Sequence, residues 1–474
     1  MADTPVLVWF RQDLRLTDNP ALSVASAIGA PIIPLYVLDD ETPGNLRMGG
    51  ASRWWLDHSL VALDTSLRQI GSELVLRRGA AERELARLLE ETGARSVYWN
   101  RCYEPFAVAR DTRIKQFLSD KGIDVHSFNA ALLFEPWEIE TKAGDPYKVF
   151  TPFWRACLNA PPRPDPLPPP AELICPDEFP KGDRLKDWDL SPTQPNWAAE
   201  FEDEWYPGED AALALLDDFL ERRVTDYATG RDRPDKRLTS RLSPYLHFGE
   251  IGPRQIWHAV DRKQPGADKF LSEIGWREFC YHLLFHFPSI PAENLRPAFD
   301  DFPWRDDPDG LRAWQQGKTG YPIVDAGMRE LWRTGWMHNR VRMISASFLI
   351  KDLLIDWRLG EAWFRDTLVD ADLANNACGW QWVAGSGADA APFFRIFNPV
   401  TQGQKFDPDG VYVRRFVPEI ASLPDKWIHR PWDAPDQVLT EAGVILNDTY
   451  PAPIVDHASA RTRALEAFKS IKSD

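Results

Sequence analysis

Residues Pro161–Pro170 read PPRPDPLPPP, seven prolines in ten positions. Proline has no backbone N–H and a fixed φ, so this run cannot sit inside a helix or a central strand. It acts as a stiff spacer, and the hydrophobic periodicity differs on its two sides. Before it, short apolar runs alternate with amphipathic stretches. The runs are Val6–Phe10, Ile32–Leu38, Glu73–Leu76, Ser96–Trp99 and Val125–Phe128. Rich in Val, Ile, Leu and aromatics, they predict strands buried on both faces. Arg53–Ile70 and Ala81–Thr92 carry leucines at helical spacing between them. This alternation predicts an α/β, doubly wound parallel-sheet domain over 1–132. No G-x-G-x-x-G follows a strand, so the dinucleotide fingerprint is absent. A ligand of such a sheet would lie at the carboxyl ends of the strands, near the switch point.

Residues 133–207 read as an interdomain linker whose acidic, Trp-containing second part lies on the surface. From 208 to 474 strand signals nearly vanish. Helical patterns occupy Ala211–Arg223, Pro253–Asp261, Lys269–Phe285, Leu311–Gly317, Val324–Gly335, Met337–Ile355 and Glu361–Thr367. The second domain is therefore expected to be all-α.

Apolar residues make up 44% and charged residues 27%, the balance of a globular protein rather than a disordered one. No uncharged apolar window of about 18 residues is present, so no membrane span is expected. The N-terminus is acidic where a signal peptide would be basic. Five well-separated cysteines form no C-x-x-C pair, which argues against a disulfide framework or a zinc knuckle. A cytoplasmic protein is expected. The net charge of −16 opposes a nucleic-acid partner at first sight. That charge is uneven: 161–210 carries a net −9 and 224–255 a net +2, which leaves room for a local basic groove.

Four stretches can carry chemistry. In TSRLSPYLHFGE (Thr239–Glu250), Ser243 before Pro244 is expected to cap a helix, and such a start is either an anion site or a plain cap. In SEIGWREFCYH (Ser272–His282), Glu273, Trp276, Arg277 and Cys280 share one helical face, as a ligand site or a surface ion pair. In GWMHNRVRMISASFLIKDLLIDW (Gly335–Trp357), Trp336, Asn339, Arg340 and Met343 share another face of an otherwise apolar helix, with Asn339 either a cap or bridge or a ligand contact. Asp370–Pro399 is rich in Gly and Ala and poor in helix signals, and it carries Trp380 and Trp382. Its Asp370-x-Asp372 pair lacks a further ligand, so no metal site is expected.

Taken together, VLVWFRQDLRLTDNPAL, TSRLSPYL, WREF, GKTGYPIVDAGMR, TGWMHNRVRM, DLLIDW, DLANNACGWQW and FRIFNPVTQGQKFD resemble the photolyase/cryptochrome family over nearly the whole chain. The resemblance implies an N-terminal antenna domain and a C-terminal helical FAD-binding domain. It places Tyr227, Thr239, Ser240, Arg241, Leu242, Ser243 and Phe270 at the FAD phosphates and ribose or beside them. Arg277, Asp370, Ala371, Asp372 and Asn376 would surround the flavin. Glu273, Trp276, Asn339, Met343 and Trp382 match a pocket for a flipped pyrimidine dimer. Trp380, Trp357 and Trp304 match an electron chain from FAD to the surface. Arg231, Arg340, Arg395 and Lys405 would meet DNA phosphates.

The implied activity is light-dependent repair of cyclobutane pyrimidine dimers in UV-damaged DNA by a monomer, closest to the bacterial enzymes. A blue-light sensor would usually carry Asp at Asn339 and a long C-terminal tail, and a (6-4) photolyase would have His there. A dark flavin oxidoreductase has no motif in its favour. Glu104 matches a carboxylate that contacts a methenyltetrahydrofolate antenna, whereas Pro288–Phe299 departs from the folate-binding pattern.

Overall fold

The computed structural model describes residues 4–390 and 394–471. Met1–Asp3, the start of the acidic N-terminus, lie outside the described residues. Five parallel strands, β1 (Val6–Phe10), β2 (Ile32–Leu38), β3 (Val75–Arg78), β4 (Ser96–Asn100) and β5 (Asp124–Phe128), form one sheet. Their order is β3-β2-β1-β4-β5. Every residue of β1 and β2 is buried, as expected for strands covered on both faces, but the edge strand β5 has no buried residue, so that expectation fails there. The switch point falls between β1 and β4, which pair in register from Val6 with Ser96 to Trp9 with Trp99.

The expected linker is more than a connector. It contains a helix, Phe150–Asn159. The proline run has no regular structure but is fastened to the sheet domain: Asp18 N–H donates to Leu167 O at 2.8 Å. Beyond it, Ile32 N–H donates to Ile174 O (2.8 Å) and Asp183 N–H to Leu76 O (2.8 Å). Not all of its aromatics lie on the surface: Trp137 and Tyr206 are exposed, but Trp188, Phe201 and Trp205 are buried in the core. That core runs without a break from β1 through Trp55 and Phe201 to Phe248 and Phe279 of the helical half. Glu250 ties the halves at depth, accepting from Trp55 Nε1 (3.0 Å) and Ser59 Oγ (2.5 Å). Complete burial pushes its carboxyl up to about 8, despite those two donors.

Beyond 208 the described chain is helical apart from loops and one isolated bridge. Two local readings are corrected. The Met337–Ile355 pattern is not one helix: an α-helix spans Asn339–Ser347 and passes into a π-helical turn, Phe348–Asp352. His338 caps its start, its Nδ1 accepting from Arg340 N–H at 3.2 Å, so Trp336 lies outside the helix. Leu354, at φ 57°, breaks it before Trp357, which begins the next helix, Trp357–Thr367. The Gly/Ala-rich stretch, in turn, forms a helix over Leu373–Ala384. Its stop signals decide this: Asp372 accepts from Asn375 N–H (2.8 Å), and Gly385 closes the end at φ 95°.

Candidate functional site between three helices

Three helices converge on one recess: Ala267–His286, Asn339–Ser347 and Leu373–Ala384. The recess has an outer cavity of about 670 Å³ and an inner one of about 260 Å³. Glu273, Trp276, Asn339, Met343, Asn375, Gly379 and Val383 line both. Trp382 faces the outer cavity and Trp380 the inner one, as two residues separated by about 200° on a helix should.

In the outer cavity Trp276 lies flat on Phe150, ring centroids 3.9 Å apart and planes at 9°. Phe150 starts the helix in the expected linker, so that segment supports the site. Glu273 does not pair with Arg277 one turn on. Its Oε1 meets Arg231 Nη1 and, at 3.0 Å, Lys269 Nζ. Asn339 is exposed to the cavity and its side chain has no hydrogen-bond partner among the described residues. Arg231, Lys269, Arg340 and Arg395 all line this cavity. Arg340 pairs with Asp232 at 2.9 Å and lies over the Phe406 ring, and Lys405 Nζ approaches the same ring. Four cations thus outnumber the two carboxylates, Glu273 and Asp389, in the cavity lining, a local positive excess on an acidic protein.

The inner cavity passes a test of fit for a flat, polar-edged ring such as the flavin of FAD. A Cβ built on Gly379 would meet nothing within 4 Å, so open space lies over the helix backbone there. Asp370 accepts from Arg342 Nη2 at 2.9 Å through Oδ2, while its buried Oδ1 has no partner among the described residues. A buried orphan acceptor calls for a donor from a ligand. Asn376 donates from Nδ2 to Glu361 Oε1 at 2.9 Å, which leaves its amide oxygen free. Arg277 also lines this cavity, and its Nη1 donates to Ala131 O of the sheet domain at 2.7 Å.

Other expected residues lie off both walls. Asp372 is occupied by Asn375, by Tyr281 OH and by His247, whose Nδ1 is 3.7 Å away. Burial would raise its carboxyl, but His247, Arg277 and Tyr281 hold it well below the usual range. Tyr227 and Phe270 form an aromatic cluster with Phe219. In the Thr239–Ser243 turn, Ser243 is not a cap: Leu242 precedes the helix, and Ser243 Oγ accepts from Trp336 Nε1 at 3.4 Å. Arg241 adopts φ 57°, pairs with Glu204 (2.9 Å) and lies over Trp205 and Trp336. Trp336 in turn faces Arg342, so one ring separates this turn from the Arg342–Asp370 pair.

Trp380 is buried against Phe364, centroids 5.0 Å apart, and lies so close to Gly360 that a Cβ there would be 2.1 Å from its ring. Gly360 is one turn beyond Trp357, which is fully buried and donates to Asn294 Oδ1 at 3.0 Å. Trp304 is half-buried, and the next residue's N–H bonds Leu354 O at 2.7 Å, just before the Trp357 helix. Sequence reasoning missed Lys269, Arg342, Asn375 and Gly379. Arg342 and Lys269 could have been found one turn from Asn339 and Glu273 respectively.

A third cavity, about 150 Å³, opens at the carboxyl ends of β1, β2 and β4. It is lined by Trp9, Arg11, Tyr36, Asp39, Glu104 and Arg110, and also by Ala371 of the helical half. Glu104 accepts from Gln12 Nε2 at 2.5 Å, and its buried Oε2 has no partner among the described residues.

The chain matches the family described as DNA photolyase over residues 6–171 and the FAD binding domain of DNA photolyase over 270–470. It is 56% identical to a deoxyribodipyrimidine photo-lyase of Agrobacterium fabrum, over 99% of this chain and 98% of that protein. It is 42% identical to cryptochrome-1 of Arabidopsis thaliana, over 98% of this chain and 70% of that one. The crystal structure of a class III photolyase from Agrobacterium tumefaciens superposes with a TM-score of 0.96 at 55% identity, covering 100% of this chain and 99% of that one. With both family models matched in order and a relative 56% identical over nearly the whole of both chains, the chain belongs to the photolyase/cryptochrome family.

Proposed function

We propose that the protein is a class III-type deoxyribodipyrimidine photolyase that repairs cyclobutane pyrimidine dimers in DNA. The observation that carries this reading is the doubled recess, two compartments that share a wall, of which the inner is read as the flavin's and the outer as the flipped dimer's. FAD, when bound, supplies a reduced flavin whose light-excited state lends the dimer the electron that splits it. The chain's own residues do the rest. Asp370, Arg342 and Asn376 orient the ring in the inner compartment. Trp276 and Trp382 offer apolar faces to the splayed bases and exclude water. Glu273 and Asn339 bind the polar edges of the pyrimidines, where charge develops on the dimer. Arg231, Arg340, Arg395 and Lys405 take the flanking phosphates.

The Thr239–Ser243 turn, with Tyr227 and Phe270 behind it, is read as the support for the FAD phosphates and ribose; Arg277 and Asp372 brace the flavin's surroundings. Trp380, Trp357 and Trp304 are read as an inner, a middle and an outer electron relay. The orphan Glu104 oxygen supports an antenna chromophore in the third cavity, with methenyltetrahydrofolate as the candidate. The working unit is read as a monomer, since one chain supplies every wall of the recess. No described helix is long and apolar enough to cross a membrane. The five cysteines are free thiols, as a reducing cytoplasm keeps them.

The test is repair by the chemically reduced holoprotein. Blue or near-ultraviolet light should restore thymine absorbance in a dimer-containing oligonucleotide, and darkness should not. Absence of light-dependent repair, with normal flavin photoreduction, would favour the sensor reading instead.

A further inference from the structure

Glu273 is held in an asymmetric way. Arg231 Nη1 and Lys269 Nζ both approach Oε1, Lys269 at 3.0 Å. Oε2 receives no hydrogen bond among the described residues, although Glu273 lines the outer cavity. A carboxylate pinned at one oxygen by two cations cannot rotate freely, and its second oxygen is kept as an acceptor for whatever enters.

The two cations differ. Arg231 has a side chain only 14% exposed and reaches Glu273 from a separate segment. Lys269 is 43% exposed, lies one turn before Glu273 on the same helix and has no other ionic partner among the described residues. Lys preceding Glu is the order that an isolated helix favours less, so helix stability is a poor reason for this pair. Its geometric effect on Oε1 is the better one.

We propose that Lys269 is a positioning residue for substrate recognition: with Arg231 it fixes Oε1 of Glu273, so that Oε2 faces the N–H edge of the flipped dimer. This rests on the reading of the outer cavity as the dimer pocket. It assigns Lys269 a role through Glu273, not a phosphate contact of its own.

A double-mutant cycle separates these. Affinity for an oligonucleotide carrying one thymine dimer is measured for the holoprotein, K269M, E273A and the double variant, with flavin absorbance as the check on folding. K269M should weaken binding about three- to tenfold. It should cost nothing further in the E273A background, and leave the dependence of affinity on salt unchanged. K269R should restore binding to within about twofold, since it keeps a cation at Oε1. Wild-type affinity in K269M, or losses that multiply in the double variant, would overturn the proposal. A salt slope lowered by about one in K269M would do the same, marking a phosphate contact. If E273A itself binds like the wild type, the dimer-pocket reading falls and the proposal with it; failure of K269M alone leaves that reading standing.

Discussion

Glu273 and Asn339 both line the outer cavity with spare hydrogen-bonding capacity, and both should be spent on the dimer. Removing one partner of a buried polar contact costs about 1–3 kcal/mol. E273A should therefore lose about tenfold or more in dimer affinity or repair yield while its FAD content stays normal; a filter-binding assay beside an absorption spectrum decides it. Helical spacing groups Glu273 with Trp276 but leaves a surface ion pair equally open; the resemblance to the family is what made both Glu273 and Asn339 legible as pocket residues. Their partners were not. Arg231 lies 42 positions away from Glu273 and Phe150 lies in a segment that reads as linker, and no local period brings either to the site.

At the scale of elements, the Trp357–Thr367 helix joins two roles. Its Gly360 receives the Trp380 ring and its first residue is the buried Trp357. Replacing that indole by phenylalanine keeps most of the volume and removes an easily oxidised ring. W357F should fold and hold FAD, yet light-driven flavin reduction by an external thiol should slow at least about tenfold. Repair by chemically pre-reduced protein should stay near normal. The Gly50–Gln69 helix gives a second prediction through Glu250. Its folded-state carboxyl sits at about 8, above the unfolded value of roughly 4.3. Between those values the folded state holds a proton that the unfolded state has lost, so stability falls as pH rises across that window. Thermal unfolding from pH 5 to 8 should show this decline, and E250Q should make it shallower without removing it, because burial also raises Glu278 and Glu330 to about 7. The central strands β1, β2 and β4 were readable because doubly buried strands have a distinctive apolar composition, whereas the exposed edge strand β5 was readable only from its β-branched and aromatic residues between helical patterns. The Leu373–Ala384 helix was not, since its caps and its packing outweigh the weak propensity of Gly, Asn and Cys.

Across the whole molecule, a net charge of −16 coexists with a local positive excess in the cavity lining. Damaged-DNA affinity should still fall steeply with salt, because binding depends on the local field and counterion release rather than on total charge. A plot of log affinity against log salt should be linear, and R395A should lower its slope by about one. Charge counting along the sequence located the permissive 224–255 stretch but not Arg340 or Arg395, which only folding brings to the same rim. The stretch that fastens the sheet has a different consequence. Residues 167–183 bond to Asp18, Ile32 and Leu76 along the sheet domain, while Trp188, Phe201 and Trp205 continue into the shared core. The chain is therefore not two cassettes on a string. A protease nick in the proline run should leave a particle that still elutes as one, and a sheet domain grafted from a relative would have to bring its own strap with it.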